Sequence, residues 1–205
     1  MPLVRRDPSL STEGATAFEP RRDLVEPTLG DAAARLAAAQ AMAGRPDAAD
    51  GLGLALESEK DPRVREALLA ALLAISDPSA AAALAQHLRS EDAWLRNACI
   101  ETLQEMPPAA ASVLPGLLAD PDPDVRLLAT EIVRTQPTEA ANHFLTGLLD
   151  AETNPNVCGA AVEVLAEVGT ADAAPALLAA RARFASTAFL PLAIDTVLAR
   201  LGPGR

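Results

Sequence analysis

Apolar residues recur along this chain three and four positions apart, the period of one helix face. Val64, Leu68, Leu69 and Leu72 form one such row, and Val125, Leu128, Ala129 and Val133 form another. The rows open alike: an Asp or Asn suited to N-capping comes first, often followed by a Pro in the first helical turn, where its missing N–H costs nothing. DAAARLAAAQAM (Asp31 to Met42), DPRVREALLAAL (Asp61 to Leu72) and DAWLRNACIETL (Asp92 to Leu103) align on this register. DPDVRLLATEIV (Asp122 to Val133), NPNVCGAAVEVL (Asn154 to Leu165) and, more weakly, TAFLPLAIDTVL (Thr187 to Leu198) continue it. The starts lie 30, 31, 30, 32 and 33 residues apart. After each row comes a break such as Ser76-Asp77-Pro78, Met106-Pro107-Pro108 or Gln136-Pro137, then a second amphipathic segment. Those segments span 47–57, 78–89, 109–119, 138–149 and 172–183, with Leu54, Leu84, Leu114, Leu145 and Leu177 as their central apolar positions.

Each unit is thus predicted to be a helical hairpin of about thirty residues, too small to cover its own apolar faces unless neighbours stack on it. The expected fold is all-α, an α-solenoid of five to six hairpins over residues 30–205, with units near 31–60, 61–91, 92–121, 122–153 and 154–186. Residues 187–201, with Pro191 in place of an Arg, are expected to form the atypical terminal cap that a repeat array needs. Ala38, Ala129, Ala161 and the run Ala80 to Ala83 permit close helix approach. Residues 1–29 hold Pro2, Pro8, Pro20 and Pro27 without a helical period, which predicts a disordered tail; a short helix at Pro20 to Val25 is the alternative.

Composition narrows the function. The 205 residues carry 17 Lys+Arg against 28 Asp+Glu, a formal net charge of -11. Phosphate neutralisation needs a basic surface, so no nucleic-acid partner is expected. Half of the chain is apolar, but only 2% is aromatic, so the core is expected to be built of Leu, Ala, Val and Ile. No apolar stretch is long enough for a signal peptide or a membrane span, which predicts a cytoplasmic protein with no membrane partner. Two cysteines make no disulfide framework.

The DPxVR opening and AxxxL spacing of DPRVREALLAAL and DPDVRLLATEIV resemble HEAT repeats, and more narrowly the short HEAT-like repeats of bilin (phycocyanobilin) lyases. The resemblance covers roughly residues 31 to 201. It implies the solenoid fold and leaves adaptor, assembly factor, bilin lyase or iron-dependent hydroxylase open as functions. The hydroxylase holds its metals with His-Glu pairs; here His87 precedes Leu88 and His143 precedes Phe144, so no metal site is expected. A bilin site wants aromatic walls that this composition does not supply.

Several residues stand out in the repeat register. Arg35, Arg65, Arg96 and Arg126 form a column four residues after the cap, expected to be a structural ladder tying units together; Cys158 interrupts it. Trp94 stands where other units have Ala33, Arg63, Asp124 and Asn156, so it is expected to face water as an interface hot spot or to lie over the start of its own helix. Cys99 shares the core position of Leu68 and Ala129, whereas Cys158 is expected to be partly exposed, and the two lie too far apart to be bonded. The second helices are expected to form an inner wall with Gln86, Arg89, Ser112, His143, Thr146 and Asp150 as polar contact residues. No nucleophile or phosphate-binding motif is present, so neither catalysis nor a cofactor is expected. The reading that follows is a non-catalytic protein-interaction scaffold of unknown oligomeric state whose partner is a protein with a basic surface. The alternative is a bilin lyase-like or cofactor or complex assembly factor.

Overall fold

A computed structural model describes residues 28–202, and no strand occurs among them. The expected tail falls on residues that lie almost wholly outside this range. Five hairpins and a closing helix follow one another. The first helices are α1 (Ala32–Met42), α3 (Pro62–Ile75), α5 (Ala93–Gln104), α8 (Pro123–Val133), α10 (Pro155–Val168) and α12 (Leu190–Leu201). The second helices are α2 (Ala49–Ser58), α4 (Pro78–Ala85), the pair α6 (Pro107–Ala110) and α7 (Leu114–Leu118), α9 (Thr138–Ala151) and α11 (Ala174–Arg183). First helices pack on first helices and second on second, giving the two layers of an α-solenoid.

The caps explain where the first helices begin. Asp31, Asp61, Asp92, Asp122 and Asn154 each hold extended backbone and accept a backbone N–H of the first turn through the side chain. The closing helix departs from this pattern. Thr187 does not cap it; α12 starts at Leu190 after Phe189, which has no side-chain cap bond, although Leu190, Ile194 and Val197 keep the buried phase. Phe189 lies instead against Gly159 of α10, where an added Cβ would stand 3.2 Å from its ring.

Between the layers lies a continuous core of Leu, Ala, Val and Ile, in which Leu68, Leu72, Leu84, Leu103, Leu114, Leu145, Leu165 and Leu177 are fully buried. Burying each such side chain stabilises the fold by about 1.5–3 kcal/mol. Leu54 breaks the expected pattern. It is 66% exposed, because α2 turns Leu52, Gly53 and Leu56 inward and brings Gly53 against Ala83 of α4. Cys158 is also a correction: it is fully buried, like Cys99, and both are free thiols. In the third hairpin Pro115 lacks the N–H that a continuous helix would use, so the second segment splits into α6 and α7 around residues 111–113.

Side chains join consecutive units through backbone groups. Gln104 donates to Glu131 O at 2.7 Å, Gln136 to Pro107 O at 3.1 Å, and Asn142 accepts from the Thr170 N–H at 3.0 Å. Arg200 donates to Leu165 O at 2.7 Å and so closes the end of α10. Gly169 at that end is fixed by space, since a Cβ there would stand 2.4 Å from Leu165 O. Gly169→Ala is therefore expected to destabilise by about 1–3 kcal/mol. Gly51→Ala, where nothing lies within 4 Å of the added methyl, should stabilise α2 by about 0.5–1 kcal/mol. Thermal melts of the two variants should move in opposite directions.

Candidate functional site

One edge of the stack gathers the loops that lead into the first helices, and from Asp61 onward its geometry is set two residues before each cap. There Glu59, Ser90, Asp120 and Glu152 turn back to accept the N–H of Asp61, Asp92, Asp122 and Asn154 at 2.8, 3.2, 2.9 and 2.7 Å. The column arginines fill the space between successive loops. Arg126 holds Glu152 with both fork nitrogens, at 2.8 and 2.9 Å, and Asp120 O at 2.8 Å. Arg35 holds Glu59 at 2.6 and 3.1 Å and Gly30 O at 2.8 Å. Each thereby ties the loop before its own helix to the loop before the next one. The sequence reading missed the carboxylates of this second column; their signal was an oxygen-bearing side chain two positions ahead of each cap from Asp61 onward.

The middle rungs are built differently. Where the pattern calls for an acid, Ser90 offers a hydroxyl, so Arg65 reaches past it to Asp92 at 2.8 Å while donating to Glu59 O at 2.7 Å. Trp94 covers this Arg65, with the guanidinium carbon 4.9 Å from the ring centroid. Trp94 is 43% exposed and stacks on an arginine of the preceding unit that is itself bonded to Asp92, the cap of Trp94's own helix. Arg96 donates only to Ser90 O, at 2.5 Å, because Asp120 is paired with Arg89 from the preceding second helix. In the fifth unit Cys158 replaces the arginine. Arg183, at the end of α11, approaches from the other side and donates to Glu152 O at 3.1 Å and Leu149 O at 2.7 Å.

These contacts set the charges. The Arg35 guanidinium, helped by two backbone N–H groups, holds Glu59 down to about 2 despite its burial. Burial works to raise Glu152, but Arg126 and two backbone N–H groups outweigh it and leave its carboxyl below the usual range. Arg63 likewise lowers the Asp61 cap to about 2. Burial pushes the Cys99 thiol up to about 12 and that of Cys158 to about 11, so both are neutral and unreactive at physiological pH.

The layer of second helices presents the other surface. Gln86 and Arg89 on the turn after α4 and Ser112 between α6 and α7 line one groove of about 330 Å³. Gln86 also borders a second groove of about 350 Å³ between α2 and α4, with Asp50, Gly53, Leu54, Glu57, Ala83 and His87. His87 is buried there and its Nε2 lies 3.1 Å from Gly53 O. His143, Thr146 and Asp150 lie together on α9, away from these grooves; Thr146 is half-buried and spends its hydroxyl on Asn142 O at 2.7 Å. Trp94 belongs to the edge, not to this layer. Sequence reading placed these residues in one set; the fold distributes them over three places.

Charge on the second-helix layer is uneven. Arg89 pairs with Asp120, Arg181 with Asp195, and Arg183 donates to carbonyls. Asp50, Glu57, Glu139 and Asp150 form no ion pair among the described residues, and the layer therefore presents a surplus of negative charge. No group of three or more His, Cys, Asp or Glu among the described residues is arranged to hold a metal ion. No helix among them is long and apolar enough to cross a membrane.

Comparison with known proteins agrees with the architecture. A family model described as HEAT repeats matches residues 26–104 and 110–185, about three quarters of the chain. No curated protein matches the chain.

The arginine ladder makes two predictions. Arg126→Ala leaves Glu152 buried without its partner and should cost about 3 kcal/mol, whereas Arg96→Ala, which breaks no ion pair, should cost about 1 kcal/mol in chemical denaturation. The second concerns acid. Because the folded pKa of Glu59 is depressed, its contribution is complete above its unfolded value of about 4.3 and disappears as pH falls toward about 2. Glu59→Gln should therefore be less stable than the parent at neutral pH and lose less stability across that window.

Proposed function

The chain belongs to the HEAT-repeat family, and we propose that it serves as a non-catalytic protein-interaction scaffold whose second-helix layer receives a partner with a basic surface. The observation that carries this reading is the uneven pairing of charge on that layer. Its cations are engaged within the fold, while Asp50, Glu57, Glu139 and Asp150 face solvent without ion pairs. Such a surface accelerates encounter with a positively charged partner and discriminates against acidic ones. Leu54, exposed between Asp50 and Glu57 beside the groove floor of Gly53 and Ala83, supplies apolar area at the same place. Gln86, Arg89, Ser112, His143 and Asp150 extend the contact surface along the layer, with Thr146 in a lesser part. Trp94 adds a second contact at the edge, where its position over Arg65 limits the freedom that binding would have to remove. A cytoplasmic location is part of this reading. The bilin lyase-like alternative rests on the repeat resemblance alone, and a visible absorbance band that stays with the protein after free bilin is removed would replace the scaffold reading with it.

Affinity capture from a cell extract with mass spectrometry, followed by binding with the purified partner, tests the scaffold. The captured partner is expected to be basic, with affinity falling as salt rises. The double variant Asp50→Asn, Glu57→Gln should weaken it at least about tenfold, which is about 1.4 kcal/mol. Salt-independent binding of an acidic partner, unaffected by these changes, would sink the proposal. Trp94→Ala should weaken the partner by about 2 kcal/mol if the indole is a hot spot. It should also lower stability by about 0.5–1 kcal/mol through loss of the contact with Arg65.

A further inference from the structure

The chain that leads into α1 emerges beside the groove between α2 and α4. Arg35 holds Gly30 O at 2.8 Å and Glu59 at 2.6 Å, so one guanidinium joins the lead-in of α1 to the end of α2. Glu57 stands two residues before Glu59, and Asp50 lies seven before that, about 10 Å along the helix. Asp50, Leu54 and Glu57 share one face of α2 at helical spacing, an exposed stripe of acid, aliphatic and acid. Neither carboxylate has an ion-pair partner among the described residues. No Lys or Arg lines the adjoining groove of about 350 Å³, and Arg89 on the turn after α4 is paired with Asp120. Residues 1–27, outside the described range, precede this point and carry four arginines. Arg21 and Arg22 stand among Glu19, Asp23 and Glu26, whereas Arg5 and Arg6 follow Leu3 and Val4 and have Asp7 as the one acid close by in sequence.

We propose that Leu3-Val4-Arg5-Arg6 of this same chain docks on the Asp50, Leu54 and Glu57 stripe and occupies the groove when no partner is bound. The arginines meet the two carboxylates, and the aliphatic pair lies against Leu54. Successive side chains of an extended segment leave it in opposite directions, which lets adjacent arginines reach acids about 10 Å apart. Twenty-one residues separate Arg6 from Thr28, and at about 3.3 Å per extended residue they reach past both ends of α2. Tethering of this kind supplies an effective concentration of about a millimolar, so a contact too weak to hold a free peptide still fills the groove for much of the time. The inference rests on the reading of this groove as the seat of a basic partner. It makes the tail a competitor for that seat, so a partner must out-compete the chain's own arginines to bind.

Nuclear magnetic resonance of the full isotope-labelled chain, with no partner present, tests it. At low salt the backbone signals of Gly53, Leu54 and Glu57 are expected to differ between the parent and the double variant Arg5→Gln, Arg6→Gln, and to converge as salt rises. The double variant Arg21→Gln, Arg22→Gln should keep the parent's groove signals. An acetylated and amidated peptide of residues 2–7 should move the groove signals of the Arg5→Gln, Arg6→Gln chain saturably towards those of the parent. It should bind the parent at least about twofold more weakly, because the tethered copy competes. Asp50→Asn, Glu57→Gln should remove the response to the peptide. Coincident groove signals in the parent and the Arg5→Gln, Arg6→Gln chain would overturn the proposal, as would an equal change on altering Arg21 and Arg22. So would a difference that grows with protein concentration, which assigns the groove to the tail of a second copy. Because no partner is present, failure here leaves salt-dependent capture of a basic partner standing. Partner binding indifferent to Asp50 and Glu57 would instead sink the scaffold reading without moving these signals.

Discussion

Everything along the lead-in edge depends on a guanidinium inserted between two loops. A loop that precedes a helix exposes both the N–H groups of the first turn and the carbonyls of the residues before it. Here one side chain two residues before the cap takes the cap N–H, the cap itself takes the first-turn N–H groups, and an arginine takes the carbonyl. The arginine then uses its remaining donors on the next loop. The buried side chains of Arg126 and Glu152 are 15% and 2% exposed, so their attraction is little screened, and every remaining oxygen has a donor. Satisfaction of this kind decides whether a buried ion pair supports a fold or burdens it.

The ladder also explains why a chain almost without aromatics can hold a defined stack. Leu and Ala faces fill the volume between layers but are forgiving of small sliding movements, since similar side chains recur along them. Hydrogen bonds from Arg35, Arg65 and Arg126 are directional and fix the offset of each unit against the next. Gln104, Gln136 and Asn142 do the same at the opposite ends of the helices. Packing supplies the stabilisation, and the polar contacts supply the register.

The repeat period, the caps and the two-helix units were legible in the sequence because each depends on neighbours within one turn or one hairpin. Asp61-Pro62 and Asn154-Pro155 announce helix starts, and the Arg column announces a repeated contact. What escaped depends on contacts between units. Leu54 shares its spacing with Leu84 but not its burial, because Gly53 lets α2 approach Ala83 and rotates the inward face by one residue. Cys158 replaces an arginine yet is fully buried, since Arg183 comes from twenty-five residues later to serve the carbonyl left behind. The partners of the Arg column were half visible: the cap Asp92 was a natural candidate, but Glu59 and Glu152 were hidden among ordinary surface acids. The candidate contact residues were least legible, because polarity alone does not reveal which edge or layer a side chain reaches.

The exchange at Cys158 and Arg183 limits how this array can lengthen. Duplicating the fourth unit would copy Arg126 together with Glu152, so each new junction would again offer a fork to a waiting loop. A copy of the fifth unit would carry Cys158 in place of the fork and Ala185 two positions ahead of the next cap in place of the acid. The new junction would then have neither a fork nor a carboxylate to receive one. Growth by tandem duplication is thus compatible with the interior of the chain and frustrated near its carboxyl end, which makes the number of repeats a property written into the last junction.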